Sequence, residues 1–289
     1  MKNDSQKIIA FQGAPGAYSD LACRTTRPEM DTLPCRSFED TFAALREGRA
    51  GLAMIPIENS IAGRVADIHH LLPNSGMHII GEHFQRVEHH LLAVKGARIA
   101  DITHVHSHIH ALNQCRDLIA ELGIEPVVSV DTAGAAQQIA RQGDKTQAVI
   151  ASELAGEING LVSLKANIED DDHNTTRFLI MSKDAIVPHP KAGPCLTSFI
   201  FRVRNVPAAL FKALGGFATN GVNMTKLESY MAGHQFVAAQ FYADIEGHPE
   251  HRNVRLAMEE LGFFTREVKI LGTYPAHPYR LQNSPDDAD

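Results

Sequence analysis

From Lys7 to Ser182 short apolar runs alternate with amphipathic stretches, and this alternation constrains the fold more than any other feature of the chain. "KIIAFQG" reads as a strand entering a loop with Gly13 and Gly16, and "AYSDLACR" starts a helix behind it. In "SFEDTFAALREG", Ser37 is an N-cap with Asp40 three residues on, Phe38, Phe42 and Leu45 share one face, and Gly48 stops the helix. "GLAMIPI" is a buried type of strand that delivers Glu58, Asn59 and Ser60 at its end, before Gly63 and the helix "RVADIHHLL". The pattern continues through "DITHVHS", the helix "ALNQCRDLIAELG", "PVVSV", the helix "TAGAAQQIARQG", "QAVIA", "SELAGEI" and the strand "TTRFLIMS". Such alternation implies an α/β fold with mostly parallel sheet and helices on both faces. The units are too many for one small sheet, so two lobes with a cleft are expected; strand order is not legible from the pattern.

After Ser182 the pattern changes. "KDAIVPHPKAG" has two prolines and no periodicity and reads as a linker. Beyond it come a strand ("TSFIFRVRN"), a helix ("PAALFKALGGFATNG"), two strands ("VNMTKLESYM", "QFVAAQFYADIEG"), a helix ("HRNVRLAMEELG") and a strand ("REVKILGTY"). That order, βαββαβ, is ferredoxin-like. The closing "LQNSPDDAD" is polar and acidic and is expected to be disordered.

A formal net charge of -7 gives no basic face to neutralise a row of phosphates, so nucleic acid is not an expected partner. No apolar run is long enough to span a bilayer and the N-terminus lacks a signal-peptide core, so no membrane association and a cytoplasmic location are expected. Cys23, Cys35, Cys115 and Cys195 form no C-x-x-C pair, which argues for reduced, buried thiols and against a zinc cage. The first glycine loop lacks both the Lys-Ser/Thr pair of a P-loop and the spacing of a dinucleotide fingerprint.

Several polar groups are candidates for a site. "HVHSHIHALNQC" places His104, His106, His108 and His110 at alternate positions, but the apolar spacing from Ala111 to Leu122 demands a helix, so the chain turns near Ser107 or His108. Only His104 and His106 are then expected on one strand face, and no metal site is expected. Ser107 either caps the helix or offers its hydroxyl to a ligand, with Gln114 within the helix about two turns on. Glu58, Asn59 and Ser60 combine an ionisable group, an amide and a hydroxyl at a strand end. In "DDDHNTTRF", Thr175, Thr176 and Arg177 enter a strand before Phe178; Arg177 either grips a carboxylate or pairs with an acid of the protein.

Taken in order, "FQGAPGAYSD", "IPIENSIAGRV", "SHIHALNQC", "IASELAGEINGL" and "NTTRF", followed by an ACT-like βαββαβ unit, resemble prephenate dehydratase over about residues 8–275. The resemblance implies a two-lobed catalytic domain like a type 2 periplasmic binding protein, joined to a ferredoxin-like ACT regulatory domain. The implied boundaries are 6–183 for the catalytic domain (lobe 1 at 6–83 and 165–183, lobe 2 at 84–164), 184–195 for the linker, 196–275 for the ACT domain and 276–289 for a polar tail.

It also implies decarboxylating dehydration of prephenate in L-phenylalanine biosynthesis, with no metal, no organic cofactor, and a homodimer or homotetramer. The alternatives are an arogenate dehydratase and a non-catalytic amino-acid sensor. The family's essential threonine falls on Thr176, with Glu58 a candidate acid. Asn59, Ser60, Ser107, Gln114, Thr175, Arg177 and Phe178 are the implied substrate contacts. The regulatory phenylalanine is expected at Ala208, Ala209, Leu210, Asn223, Glu228 and Ser229, where "PAAL" and "ESYM" depart from the family's P-G-A-L and E-S-R-P. Ala208 in the glycine position narrows backbone freedom.

Overall fold

The computed structural model describes residues 5–204, 206–231 and 238–282. Its elements in chain order are β1 (Ile8–Gln12), α1 (Tyr18–Thr26), β2 (Asp31–Cys35), α2 (Phe38–Arg46), β3 (Leu52–Asn59), β4 (Gly63–Arg64), α3 (Ala66–Leu71), β5 (His78–Arg86), β6 (His90–Ala93), β7 (His104–His108), α4 (Ile109–Asn113) and α5 (Arg116–Leu122). They continue with β8 (Glu125–Ser129), α6 (Thr132–Gln142), β9 (Gln147–Ala151), α7 (Glu153–Asn159), β10 (Val162–Lys165), β11 (Thr175–Ser182), β12 (Cys195–Val203), α8 (Ala209–Thr219), β13 (Met224–Met231), β14 (Ala238–Glu246), α9 (Arg252–Phe264), β15 (Thr265–Pro275) and α10 (Pro278–Gln282).

The chain divides into two compact units: residues up to Val65 together with His83–Phe178, and Ala66–Glu82 together with everything from Leu179. The first unit is two-lobed. One sheet runs β2-β1-β3-β11-β5 with β4 beside β3, its strands β5 and β11 each passing from one unit into the other along the chain (at 82/83 and 178/179), and the other, wholly within the first unit, runs β10-β6-β9-β7-β8. In the first sheet β1 is parallel to β2 and β3. In the second, β7 is parallel to β8 and β9, whereas β6 is antiparallel to β9 and β10. The second sheet is therefore mixed rather than mostly parallel.

β2, β4, β5, β6 and β10 have no counterpart in the sequence reading. "DTLPC" contains a proline, and "HIIGEHFQR" and "HLLA" carry polar or glycine residues where a buried strand would be uniformly apolar. Pairing to neighbouring strands, not local propensity, makes them strands.

The glycine loop is held where two motifs meet. Ser152 caps α7 by accepting from Ala155 N and donates its own proton to the Gly16 carbonyl at 2.6 Å. Gly16 has φ +89°, and a Cβ there would lie 2.6 Å from Ala155 Cα, so only glycine fits this approach.

The second unit contains the expected βαββαβ order, with strands arranged β13-β14-β12-β15, all paired antiparallel. Phe199, Phe201, Phe217, Phe241, Val254 and Leu261 form its apolar core with α8 and α9. Residues 183–194 contain no helix or strand.

Two features differ from the expected boundaries. Residues 66–82, placed with the catalytic lobes by the sequence, group with this unit because Gly272 has no room for a side chain against the Ile79 carbonyl and Lys269 Nζ donates to Pro73 O at 2.7 Å. The tail from residue 276 is not all unstructured: α10 carries Arg280, whose Nε and Nη2 grip the buried Glu82 carboxylate at 2.7 and 2.9 Å. Residues 283–289 of that tail, Asn205, and residues 235–237 of the expected β14 strand lie outside the described residues.

Candidate active site

A cavity of about 690 Å³ opens within the first unit. One wall comes from the glycine loop (Gly13, Ala14, Pro15), Asn59, Asn174 and Thr176; the other includes His89, His108, Gln114 and Thr132.

Alternation along β3 and β11 sorts the polar residues at their ends. Adjacent residues of a strand point to opposite faces. Asn59 and Thr176 meet on one face, with Asn59 Nδ2 donating to Thr176 Oγ1 at 2.9 Å and to Asn174 Oδ1 at 2.7 Å. The orientation of the Asn59 amide is fixed, because its Oδ1 accepts from Ile61 N at 3.0 Å and Ala62 N at 2.8 Å. Thr176 Oγ1 therefore accepts from Asn59 and keeps its own proton for a ligand in the cavity.

Glu58 and Arg177 meet on the opposite face, Arg177 Nη1 to Glu58 Oε1 at 2.8 Å, with the arginine side chain only 2% exposed. Neither lines the cavity. This corrects Glu58 as a general acid and Arg177 as a carboxylate clamp: each holds the other, behind the wall. Phe178 follows into the interior and is buried.

Ser60 and Thr175 also work behind the wall. Ser60 Oγ donates to His173 O and accepts from Thr175 N, both at 2.9 Å, so the pair pins the loop that presents Asn174 and Thr176.

Ser107 is neither a cap nor a ligand contact. It is fully buried and donates to Ile150 O at 2.6 Å, tying β7 to β9. The helix cap is His108, whose Nδ1 accepts from His110 N. Since β7 extends through His108, three histidines alternate on its outer face instead of two. Their partners are local: Thr103 holds His104, Gln147 holds His106, and the His108 and His110 rings lie 5.1 Å apart, tilted at 38°.

Gln114 is not inside a continuous helix. It is the C-cap of α4, at a break before α5, and Asp170 closes that break by accepting from Arg116 N and Asp117 N. The break turns Gln114 toward the cavity. Its Oε1 position lies 2.9 Å from His89 Nε2, and His89 Nδ1 lies 2.8 Å from Tyr18 Oη. Burial lowers the His89 pKa and, with Cys115, Glu169 and Glu88 adding to it, holds the Tyr18 phenol well above its ordinary value. The imidazole is neutral and the phenol protonated. Sequence reasoning missed Tyr18, Arg36, His89 and Asn174; "AYSD" and "NTTRF" contained two of them, unremarked.

Comparison with known proteins follows the same lines as this geometry. A family model described as prephenate dehydratase matches residues 9–186. The chain belongs to the prephenate dehydratase family. It is 55% identical over 278 residues, 96% of this chain and 99% of the relative, to a bifunctional N-acyl-homoserine lactone acylase/prephenate dehydratase of Komagataeibacter europaeus. It is 36% identical to arogenate dehydratase/prephenate dehydratase 2 of Arabidopsis thaliana, over 95% of this chain and 74% of that one. The solved prephenate dehydratase of Arthrobacter aurescens in complex with L-Phe is 27% identical with a TM-score of 0.84, covering 93% of this chain and 90% of that one. Family membership supports dehydration of prephenate or arogenate, and the prephenate dehydratase fold is shared along nearly the whole chain.

In the second unit Glu228 and Ser229, two of the expected regulatory residues, fall on opposite faces of β13. Ser229 pairs with the core residue Phe241, while Glu228 pairs with Tyr242 on the opposite face, beside His69. Ala208 is the N-cap of α8 with φ +60°, ψ 15°, and Ala209 and Leu210 open the helix. Asn223 accepts from Glu246 N through its backbone carbonyl. The side chain of Met231, in "ESYM", lies outside the described residues.

Proposed function

We propose that this chain converts prephenate to phenylpyruvate, with Thr176 as the hydrogen-bond donor to the departing hydroxyl. The observation that carries this is the locked Asn59 amide, which donates to Thr176 Oγ1 and so leaves the threonine proton able to donate into the cavity. In this reaction the bond from the ring to its carboxylate breaks and releases CO2. The electron pair enters the ring, the C–O bond breaks across it, and hydroxide takes one proton to leave as water. Aromatisation drives the reaction, so orientation and stabilisation of the leaving group are the protein's tasks. An unperturbed threonine is too weak an acid to be the only proton source, so solvent completes the transfer. Arg36, which lines the cavity, suits a substrate carboxylate.

The second unit fits a regulatory ACT role, with L-phenylalanine as allosteric inhibitor of a cytoplasmic homodimer or homotetramer. Support comes from the βαββαβ topology and from the L-Phe complex of the Arthrobacter relative. Arogenate is the rival substrate, since arogenate/prephenate dehydratases are among the relatives. A second activity, amide cleavage of an N-acyl-homoserine lactone, is favoured by the 55% identity to the bifunctional relative.

The deciding experiment measures product from prephenate, arogenate and an N-acyl-homoserine lactone with purified protein and a chelator present. Phenylpyruvate from prephenate is the expected result. Turnover of arogenate alone would correct the substrate, and turnover of none would favour the amino-acid-sensing alternative.

A further inference from the structure

We infer that Tyr18 and His89 are positioning residues that hold the Gln114 amide with its carbonyl oxygen toward the cavity, so that this wall selects a hydrogen-bond donor on the substrate. The inference rests on the dehydratase reading and deepens it: prephenate is turned over, and at this one contact arogenate's ammonium is favoured over prephenate's keto oxygen. Arogenate and prephenate differ only in the side chain, an amino group in one and a keto oxygen in the other.

The chain of partners admits one proton arrangement. Tyr18 Oη lies 2.7 Å from the Glu88 carbonyl oxygen and 2.8 Å from His89 Nδ1. A carbonyl only accepts, so the single phenolic proton goes to Glu88 O. Tyr18 Oη must then accept from His89, which places the imidazole proton on Nδ1. His89 is buried and neutral, because the desolvation that disfavours its charged form outweighs the opposing pull of Glu169, whose Oε2 accepts from His89 N at 2.8 Å. A neutral imidazole with its proton on Nδ1 offers only a lone pair at Nε2.

The atom of Gln114 that lies 2.9 Å from that lone pair must donate. The two ends of an amide are nearly isosteric and are assigned by their partners. The amide nitrogen therefore faces His89 and the carbonyl oxygen takes the other position, toward the cavity that Gln114 lines. An ammonium or hydroxyl on the ligand is matched there, whereas a keto or carboxylate oxygen meets an acceptor. Which end of the Gln114 amide faces the cavity is decided by Tyr18, acting through His89.

Two measurements test this on the full-length protein. Long-range 15N–1H correlation of the histidine side chains reads the tautomer of His89 without needing turnover. The expected wild-type pattern is Nδ1–H. In Tyr18→Phe the acceptor for that proton is gone, and the pattern is expected to switch to Nε2–H, which turns the Gln114 amide group into the cavity.

The second measurement is the ratio of kcat/KM for arogenate to that for prephenate. It is expected to fall about tenfold in Tyr18→Phe, the scale of one exchanged hydrogen bond. An Nε2–H tautomer in the wild type would overturn the assignment. A tautomer that switches while the ratio stays constant would overturn the specificity role. A chain that turned over neither substrate would sink the dehydratase reading, while the wild-type tautomer would still decide the orientation of Gln114.

Discussion

Two polar clusters of this molecule use the same bonds to opposite ends. At the tips of β3 and β11, Asn59 donates to Thr176 and leaves the threonine proton unclaimed at the edge of a cavity. In the second unit, Ser198 Oγ donates to the buried Asp244 carboxylate at 2.5 Å and accepts from Tyr274 Oη at 2.7 Å and Tyr242 Oη at 3.2 Å. There every hydroxyl proton has a fixed acceptor. A hydroxyl clamped as an acceptor is poised to donate to a ligand, whereas a hydroxyl clamped on all sides stiffens a sheet.

The sharpest way to break this contrast is Thr176→Ala. Loss of the Thr176 proton is expected to lower kcat/KM at least 100-fold, with the far-UV circular dichroism unchanged. A rate within threefold of wild type would remove Thr176 from the reaction.

Ser198→Ala should do the reverse. It removes a donor to the buried Asp244 carboxylate and an acceptor for two phenols, so about 2 kcal/mol of stability is expected to be lost in urea denaturation, while kcat/KM per folded molecule stays near wild type. A large loss of activity at constant stability would show that the second cluster is not purely structural.

A smaller effect is expected at the turn into α8. Ala208 occupies left-handed backbone, φ +60°, where a Cβ is unfavourable. Ala208→Gly is expected to raise stability by about 1 kcal/mol, read as a shift in urea midpoint at constant slope. No gain would mean that the turn is not strained.

The mildest test is pH. The folded-state pKa of His89 lies below its ordinary 6.5 because burial disfavours the charged form. The unfolded chain then binds more protons than the folded one at pH below about 6.5, so stability is fully present above that value and declines as pH falls through the folded pKa. Replacing His89 by glutamine should flatten this part of the stability profile. An unchanged profile would place the titration elsewhere, with His108 and His277, whose pKa values burial also lowers, the next candidates.

Much of the fold was legible because periodicity is local. The capped helix at Ser37, the βαββαβ order and the turn inside "HVHSHIHALNQC" all follow from residues a few positions apart. β2, β5 and β6 were not legible, because their strand character comes from neighbours distant in sequence. At the site, Asn59, Gln114 and Thr176, expected as site residues from the family resemblance, line the cavity. Glu58, Ser107 and Arg177 were equally suitable by type and turned out to be occupied inside the protein. Composition names a donor or an acid; only packing says whether it still has a free proton.

The sequence by itself determined the alternation that builds two α/β lobes, the change to βαββαβ after the linker, and the motifs that carry the family. Tertiary structure alone decided which polar groups are available. It paired Glu58 with Arg177 on one face of two neighbouring strands and turned Asn59 and Thr176 to the other. It set Tyr18 and His89, 71 positions apart, side by side behind Gln114. The reason is physical: a hydrogen bond uses up a donor wherever its acceptor comes from, and partners brought together by folding are not written beside one another in the chain.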